Sequence, residues 1–328
     1  MSFLTRRRFL AGSAGAAGAT VLAGGAAVHL VQASAPMSGK QAPGFYRQKI
    51  GDFEMTIVTD GSRTFPMPDG FVKNVSKDKA IAAAEAAYMP MGQITVPFNP
   101  VVINTGSKLV LIDAGNGANA GTAGKLMPNL AAAGIDPKAI DIVVISHMHP
   151  DHINGIKTPE GALAFPNAEI KVPAVDWAYW MDDAKMAKAP EGMTKNYFNA
   201  ARKVFSDIAG KVTKYEWSKE VAPGITAINA NGHTPGHTAF AVVSGSSKIL
   251  VQSDVSNIPD LFLRNPDWHV MFDSDPVQAA KMRHKIYDMA AAEKMLVTGF
   301  HFPFPAVGHV EKDGSRYRLV PITWNGAI

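Results

Sequence analysis

The sequence predicts a single α/β domain built as a four-layer αβ/βα sandwich, with two sheets face to face and helices outside. Two observations lead there. Strand-like runs and helix-like periods mix along the chain, and residue types that bind metals stand directly after strand-like runs in both halves. The 328 residues, 47% of them hydrophobic, supply enough material for one large core.

The elements follow in order. A β-branched run predicts a strand at residues 53–59, and a hairpin is expected across 94–104 and 108–113. A helix follows at 123–133, where Leu126, Met127, Leu130 and Ala133 fall on one face. Ile140-Asp141-Ile142-Val143-Val144-Ile145 is almost uninterrupted in branched residues and reads as a strand buried on both faces. A strand near 168–172 precedes helices from 175 to about 209. The second half repeats the theme, with strands at 225–229, 238–244 and 248–252. A helix at 276–294 then carries Met282, Ile286 and Met289 in register, and the strand-like residues 295–300 run into His301.

The densest chemistry lies in Ser146-His147-Met148-His149-Pro150-Asp151-His152, three imidazoles and a carboxylate directly after the buried strand. His147 and His149 are two apart, so on extended backbone they point the same way, whereas Asp151 and His152 begin the next turn. Imidazole and carboxylate without thiolate suit zinc, manganese, cobalt or iron. Four such residues exceed what one open catalytic zinc takes from a single loop, which points to two metals. Asn231-Gly232-His233-Thr234-Pro235-Gly236-His237, Ser253-Asp254 and His301 place further donors at three other strand ends.

In this order the segments resemble the signature of the metallo-β-lactamase superfamily of metal-dependent hydrolases: H-x-H-x-D-H, G-H-T-P-G-H, S-D and a late strand-terminal His. Within it the chain is most similar to the methyl parathion hydrolase group and the related lactonases, through Leu163-Ala164-Phe165-Pro166-Asn167-Ala168, His233 to His237, and Phe302-Pro303 with Gly308-His309-Val310. The resemblance runs from about Gly44 to the C-terminus. It implies that His147, His149 and His233 bind one divalent metal, most readily zinc, that Asp151, His152 and His301 bind the other, and that Asp254 bridges them. It also implies an internal duplication and a homodimer. Two such cations about 3.5–4 Å apart share a water and supply hydroxide near neutral pH, with no serine or cysteine nucleophile. Asp151 is a candidate to move a proton with its free oxygen, and Asp254 to bridge.

Other residues carry less specific signals. Asp113, after Val110-Leu111-Ile112, suits either a ligand-orienting role or a plain turn. His237 is read as structural, and His284 and His309 as surface or packing residues. Trp177, Tyr179, Trp180, Tyr197 and Phe198 form an aromatic insertion, read as helix packing or as a lid over the metals; Trp180, Tyr197 and Phe198 are the candidate substrate contacts. The similar hydrolases of methyl parathion use an aromatic in the loop that here reads Asn116-Gly117-Ala118-Asn119-Ala120-Gly121, with none. Lactones or aryl esters are therefore the expected substrates, with organophosphate triesters as a side activity. Phosphotriester hydrolysis as the main activity, a glyoxalase II-like thioesterase and a non-catalytic metal-binding protein are the alternatives.

Composition excludes other classes. The chain has no cysteine, which removes disulfides, iron–sulfur clusters and thiolate zinc sites. A net charge of +4 with scattered Lys and Arg gives no nucleic-acid surface. Thr5-Arg6-Arg7-Arg8-Phe9-Leu10, ahead of an Ala/Gly-rich stretch, resembles a twin-arginine export signal over residues 1–35. Ala33-Ser34-Ala35 fits cleavage by a signal peptidase. The expectation is a periplasmic or secreted domain at 36–328, without a stable membrane span once the signal is removed.

Overall fold

A computed structural model describes residues 37–118 and 120–327. The export signal expected at 1–35 lies outside the described residues. Contacts group the described residues from Pro43 onward into one compact unit. Among the described residues no helix is long and apolar enough to cross a membrane.

The chain begins with the antiparallel strands β1 (Phe45–Ile50) and β2 (Phe53–Val58), then β3 (Gly61–Pro66), helix α1 (Lys77–Ala86) and β4 (Gln93–Phe98). β5 (Val101–Asn104) and β6 (Leu109–Ile112) form a hairpin, followed by α2 (Leu126–Ala132), β7 (Ile142–Val144) and the one-turn α3 (Pro150–Ile153). β8 (Glu169–Pro173), α4 (Ala174–Trp180), α5 (Asp183–Lys188), α6 (Met193–Phe205) and β9 (Val212–Tyr215) complete the first half. The second half has β10 (Glu220–Ala222), β11 (Ile225–Asn229), β12 (Thr238–Ser244), β13 (Ser247–Ser253), α7 (Pro259–Phe262), α8 (Pro276–Ala292), β14 (Leu296–Gly299), β15 (Val307–Asp313) and β16 (Arg316–Pro321).

Two seven-stranded mixed sheets result, ordered β1-β2-β5-β6-β7-β8-β9 and β10-β11-β12-β13-β14-β15-β16. The period of two in the first sheet decides what each face meets. Met55, Ile57, Val101, Ile103, Val110, Ile112, Ile142 and Val144 join a core with Ile225, Phe240, Val242, Ile249 and Val297 of the second sheet. The alternate residues Val102, Leu111 and Val143 pack instead with Leu126, Leu130, Phe198, Val204 and Phe205 of the helices. This is the expected αβ/βα sandwich, α/β with mixed sheets. β6, β7, β8 and β9 run parallel, as do β13 and β14, so their C-terminal ends open toward the same kind of loop.

Two local expectations are corrected. Residues 94–104 are not one strand of a hairpin: β4 pairs with β3 in a separate ribbon, and only β5 pairs with β6. Pro97 and Pro100 cannot donate to a ladder, and Asn99 between them turns its amide to the carbonyls of Phe300 (3.0 Å) and Phe302 (2.8 Å). Met127 does not share the buried face of α2 and is 37% exposed. The helix starts late, at Leu126, where the Asp60 carboxylate accepts the Leu126 N–H at 2.8 Å.

Candidate metal centre

Each ligand-type residue stands just past a strand. β7 ends at Val144 and releases Ser146 to His152. Asp113, after β6, fastens this loop by accepting the Ser146 N–H and Oγ–H at 2.8 Å each and the His152 Nδ1–H at 2.9 Å. Its φ of +62° is a left-handed conformation that aspartate tolerates better than most side chains. Asp113 thus orients a candidate ligand, one of the two roles open to it in sequence. Pro150 then opens α3, which carries Asp151 and His152.

The other donors arrive from the second sheet. His233 follows β11 on a loop whose Gly232 has φ +128° and lies so close to α8 that a Cβ there would meet the Ala279 nitrogen at 2.3 Å. Its Nδ1–H donates to Asp273 Oδ1 at 2.9 Å. Asp254 follows β13, and His301, after β14, donates its Nδ1–H to the Pro97 carbonyl at 2.8 Å.

The seven residues converge. His147, His149 and His233 form one group with donor atoms within 4.8 Å of one another, and Asp151, His152 and His301 form a second. His147, His152 and Asp254 meet the same criterion. Asp254 faces both sets: its Oδ2 lies 2.9 Å from His301 Nε2 and 3.3 Å from His233 Nε2, and its Oδ1 lies 3.4 Å from His152 Nε2.

The donor chemistry fits divalent cations. His147, His149, His152 and His233 each bury an Nε2 with no hydrogen-bond partner, and Asp254 buries an Oδ1 in the same condition. Buried polar atoms are rarely left alone, and five lone-pair atoms aimed together are a cation's coordination shell. The outer nitrogens are tied: His152, His233 and His301 give Nδ1–H to acceptor-only partners, which leaves Nε2 as the atom each ring turns to the site. His237 shows the contrast. It donates from Nδ1 to the Ala230 carbonyl at 2.8 Å and accepts the Asp254 N–H on Nε2 at 3.1 Å, so both nitrogens are used and it serves as structure.

Protonation divides the two groups. Burial, helped by neighbouring imidazoles, pushes His147 and His149 well below the ordinary histidine range, so they are neutral. Burial also presses on His152 and His301, but the carboxylates around them outweigh it and raise both, chiefly Asp113 for His152 and Asp254 for His301. Burial likewise opposes ionisation of Asp151 and Asp254, yet the adjacent imidazoles bring Asp151 down to about 2 and hold Asp254 well below the ordinary carboxylate range.

The profile of the metallo-beta-lactamase superfamily matches residues 96–297. This chain belongs to the metallo-beta-lactamase superfamily. It is accordingly a metal-dependent hydrolase. It is 26% identical to a hydrolase of the beta lactamase superfamily called AbOPH, whose crystal structure matches at a TM-score of 0.81 over 87% of this chain and 100% of that one. It is also 26% identical to AidC, a dizinc quorum-quenching lactonase solved with N-hexanoyl-L-homoserine as product, at a TM-score of 0.80 over 86% of this chain and 99% of that one. The N-acyl homoserine lactonase AttM of Agrobacterium fabrum is 25% identical over 198 residues, 55% of this chain and 69% of AttM.

A cleft of about 450 Å³ opens over this superfamily site, bordered by His149, Asp151, His233, Asp254 and His301. Of the three aromatic residues expected to contact substrate, Tyr197 alone lines it, its ring 4.3 Å from that of His149. Trp180 and Phe198 are fully buried among helix residues, a correction to the expectation for both. The reason is helical phase. Phe198, Ala201 and Phe205 form the inward stripe of α6, and Tyr197, about 100° away, reaches the cleft. Trp180 packs edge-on behind His149 at 5.9 Å. The walls that sequence reasoning missed are apolar: Phe65, Val96 and Phe98 from the β3–β4 ribbon, and Met271 and Phe272 from the loop before α8, with Arg63 nearby. Asp176, Asp273 and Asn257 were also missed; no local pattern marks a buried acid or amide whose partners are distant in sequence.

Proposed function

We propose that this chain is a two-metal hydrolase that opens lactones or aryl esters, with organophosphate triesters as secondary substrates. One observation carries the reading: the cleft that holds the histidines is also lined by Phe65, Val96, Phe98, Met271 and Phe272, apolar surface suited to an acyl or aryl arm. Likeness to AidC and AttM, named as lactonases, supports it. His147, His149 and His233 would hold one divalent cation, zinc first among candidates, and Asp151, His152 and His301 the other, with Asp254 between. Such a pair, when bound, would supply hydroxide at neutral pH and polarise the ester carbonyl.

The chain's own residues do the rest. Asp151 is 25% exposed where the other donors are nearly closed off, so its carboxylate is placed to receive a proton and return it to the leaving alkoxide. Tyr197 stays protonated, because burial and then the charges of Asp151 and Asp254 raise its pKa, and it serves as an O–H donor at the cleft. The aromatic wall excludes water and aligns the apolar arm. Twin-arginine export and a homodimer complete the proposal, on the strength of Arg6-Arg7 and of the family resemblance.

A panel at matched concentrations tests it. Medium-chain lactones and an aryl ester should give higher kcat/KM than a diaryl phosphotriester, and lengthening the acyl chain should raise it further. The reverse order would assign phosphotriester hydrolysis as the main activity.

A further inference from the structure

We infer that Asp176 is a positioning residue that sets the geometry of the three-histidine half of the site, an inference that rests on the two-cation reading above. Asp176 is fully buried in the first turn of α4. Its Oδ2 accepts the Met148 N–H at 2.9 Å, between His147 and His149, and the Thr234 Oγ1–H at 3.0 Å, next to His233. Its Oδ1 accepts the Gly236 N–H at 2.6 Å. One carboxylate thus pins the two loops that bring His147, His149 and His233 together, although those loops are about eighty residues apart in sequence. Gly236 permits the approach, since a Cβ there would lie 2.4 Å from the Asp176 nitrogen.

A buried carboxylate is costly unless its oxygens are satisfied, and among the described residues Asp176 has no ion pair to offset that cost. Its three donors are its compensation, and they come from ligand-bearing loops. The other half of the site has a separate anchor, because Asp113 holds His152 directly. Asp176 is the acid whose donors lie on both loops of the three-histidine half.

The test is Asp176→Asn, which removes one acceptor and sets an NH₂ against an N–H donor. Metal content after dialysis against a weak chelator, with zinc affinity by competition titration, should show the three-histidine ion bound about 10–100-fold more weakly and the other unchanged. In a His149→Ala background, which already disables that half, Asp176→Asn should have no further effect on the remaining ion. Wild-type affinity for both ions in Asp176→Asn, or further weakening in the His149→Ala background, overturns the inference. If circular dichroism shows Asp176→Asn unfolded, Thr234→Val decides: it should weaken the same ion several-fold, and unchanged affinity overturns the inference. A wild type that takes up a single ion overturns the two-cation reading itself, whereas two ions in wild type with an unaltered variant overturn the role of Asp176 alone.

Discussion

Replacing Trp180 with alanine separates the scaffold of the site from its cleft. The side chain is 1% exposed and packs against Tyr179 at 4.8 Å, Phe198 at 4.8 Å and His149 at 5.9 Å. Burying roughly 200 Å² of aromatic surface at about 25 cal/mol per Å² contributes about 5 kcal/mol, and large-to-alanine changes in cores cost about 3–5 kcal/mol. At about 2–4 °C per kcal/mol, the midpoint of thermal unfolding should fall by roughly 6–20 °C. Whatever folded protein remains should lose kcat/KM to a similar degree on a bulky and on a small lactone, because Trp180 borders His149 and not the substrate. Tyr197→Ala should behave in the opposite sense, with a modest change in melting and a loss of about 10–100-fold confined to the bulky substrate. Differential scanning calorimetry with kinetics on two lactones of different chain length reads both effects. Unchanged melting for Trp180→Ala, with a selective loss on the bulky lactone, would refute the packing argument and return Trp180 to the cleft.

Other expectations follow from the same geometry. Asp254→Ala should lower metal content and turnover more than loss of any single histidine, because Asp254 alone faces both groups; near-wild-type metal and turnover would remove the bridging role. Acidification should release the ion of Asp151, His152 and His301 first: the raised pKa values of His152 and His301 mean that protons compete for Nε2 there at higher pH than at His147 and His149, which are pushed low by burial. Metal content measured against falling pH checks this, and simultaneous loss would count against it. Gly232→Ala should be poorly tolerated, since φ +128° and the Ala279 nitrogen at 2.3 Å leave no room for a Cβ, and its melting temperature should drop by several degrees. Replacing Arg6 and Arg7 by lysine should retain the protein in the cytoplasm, and unchanged periplasmic recovery would point to another export route.

What could be read from the sequence was what is local. The H-x-H-x-D-H run packs its donors into six positions after one buried strand, and β11, β13 and β14 each end within a few residues of a donor, so the candidate donors were visible without any fold. The β3–β4 ribbon was not. Residues 61–66 lack an apolar alternation, and residues 94–104 looked like one strand until Pro97, Asn99 and Pro100 broke it. Trp180, Tyr197 and Phe198 were indistinguishable as aromatics; only the phase of α4 and α6 against the first sheet sends one to the cleft and two to the core. Asp113, Asp176 and Asp273 hold the ligands through contacts spanning 28 to 60 positions, and such contacts leave no trace in spacing.

The central claim is that hydrolysis depends on two cations held by these seven residues. The most direct measurement is metal content by mass spectrometry alongside lactone hydrolysis, on the same protein before chelation, after it, and after zinc is restored. About two transition-metal ions per chain, loss of activity on chelation and recovery only as the second equivalent is added are the results expected. Full turnover in protein shown to be metal-free, or full recovery with a single equivalent, would contradict it.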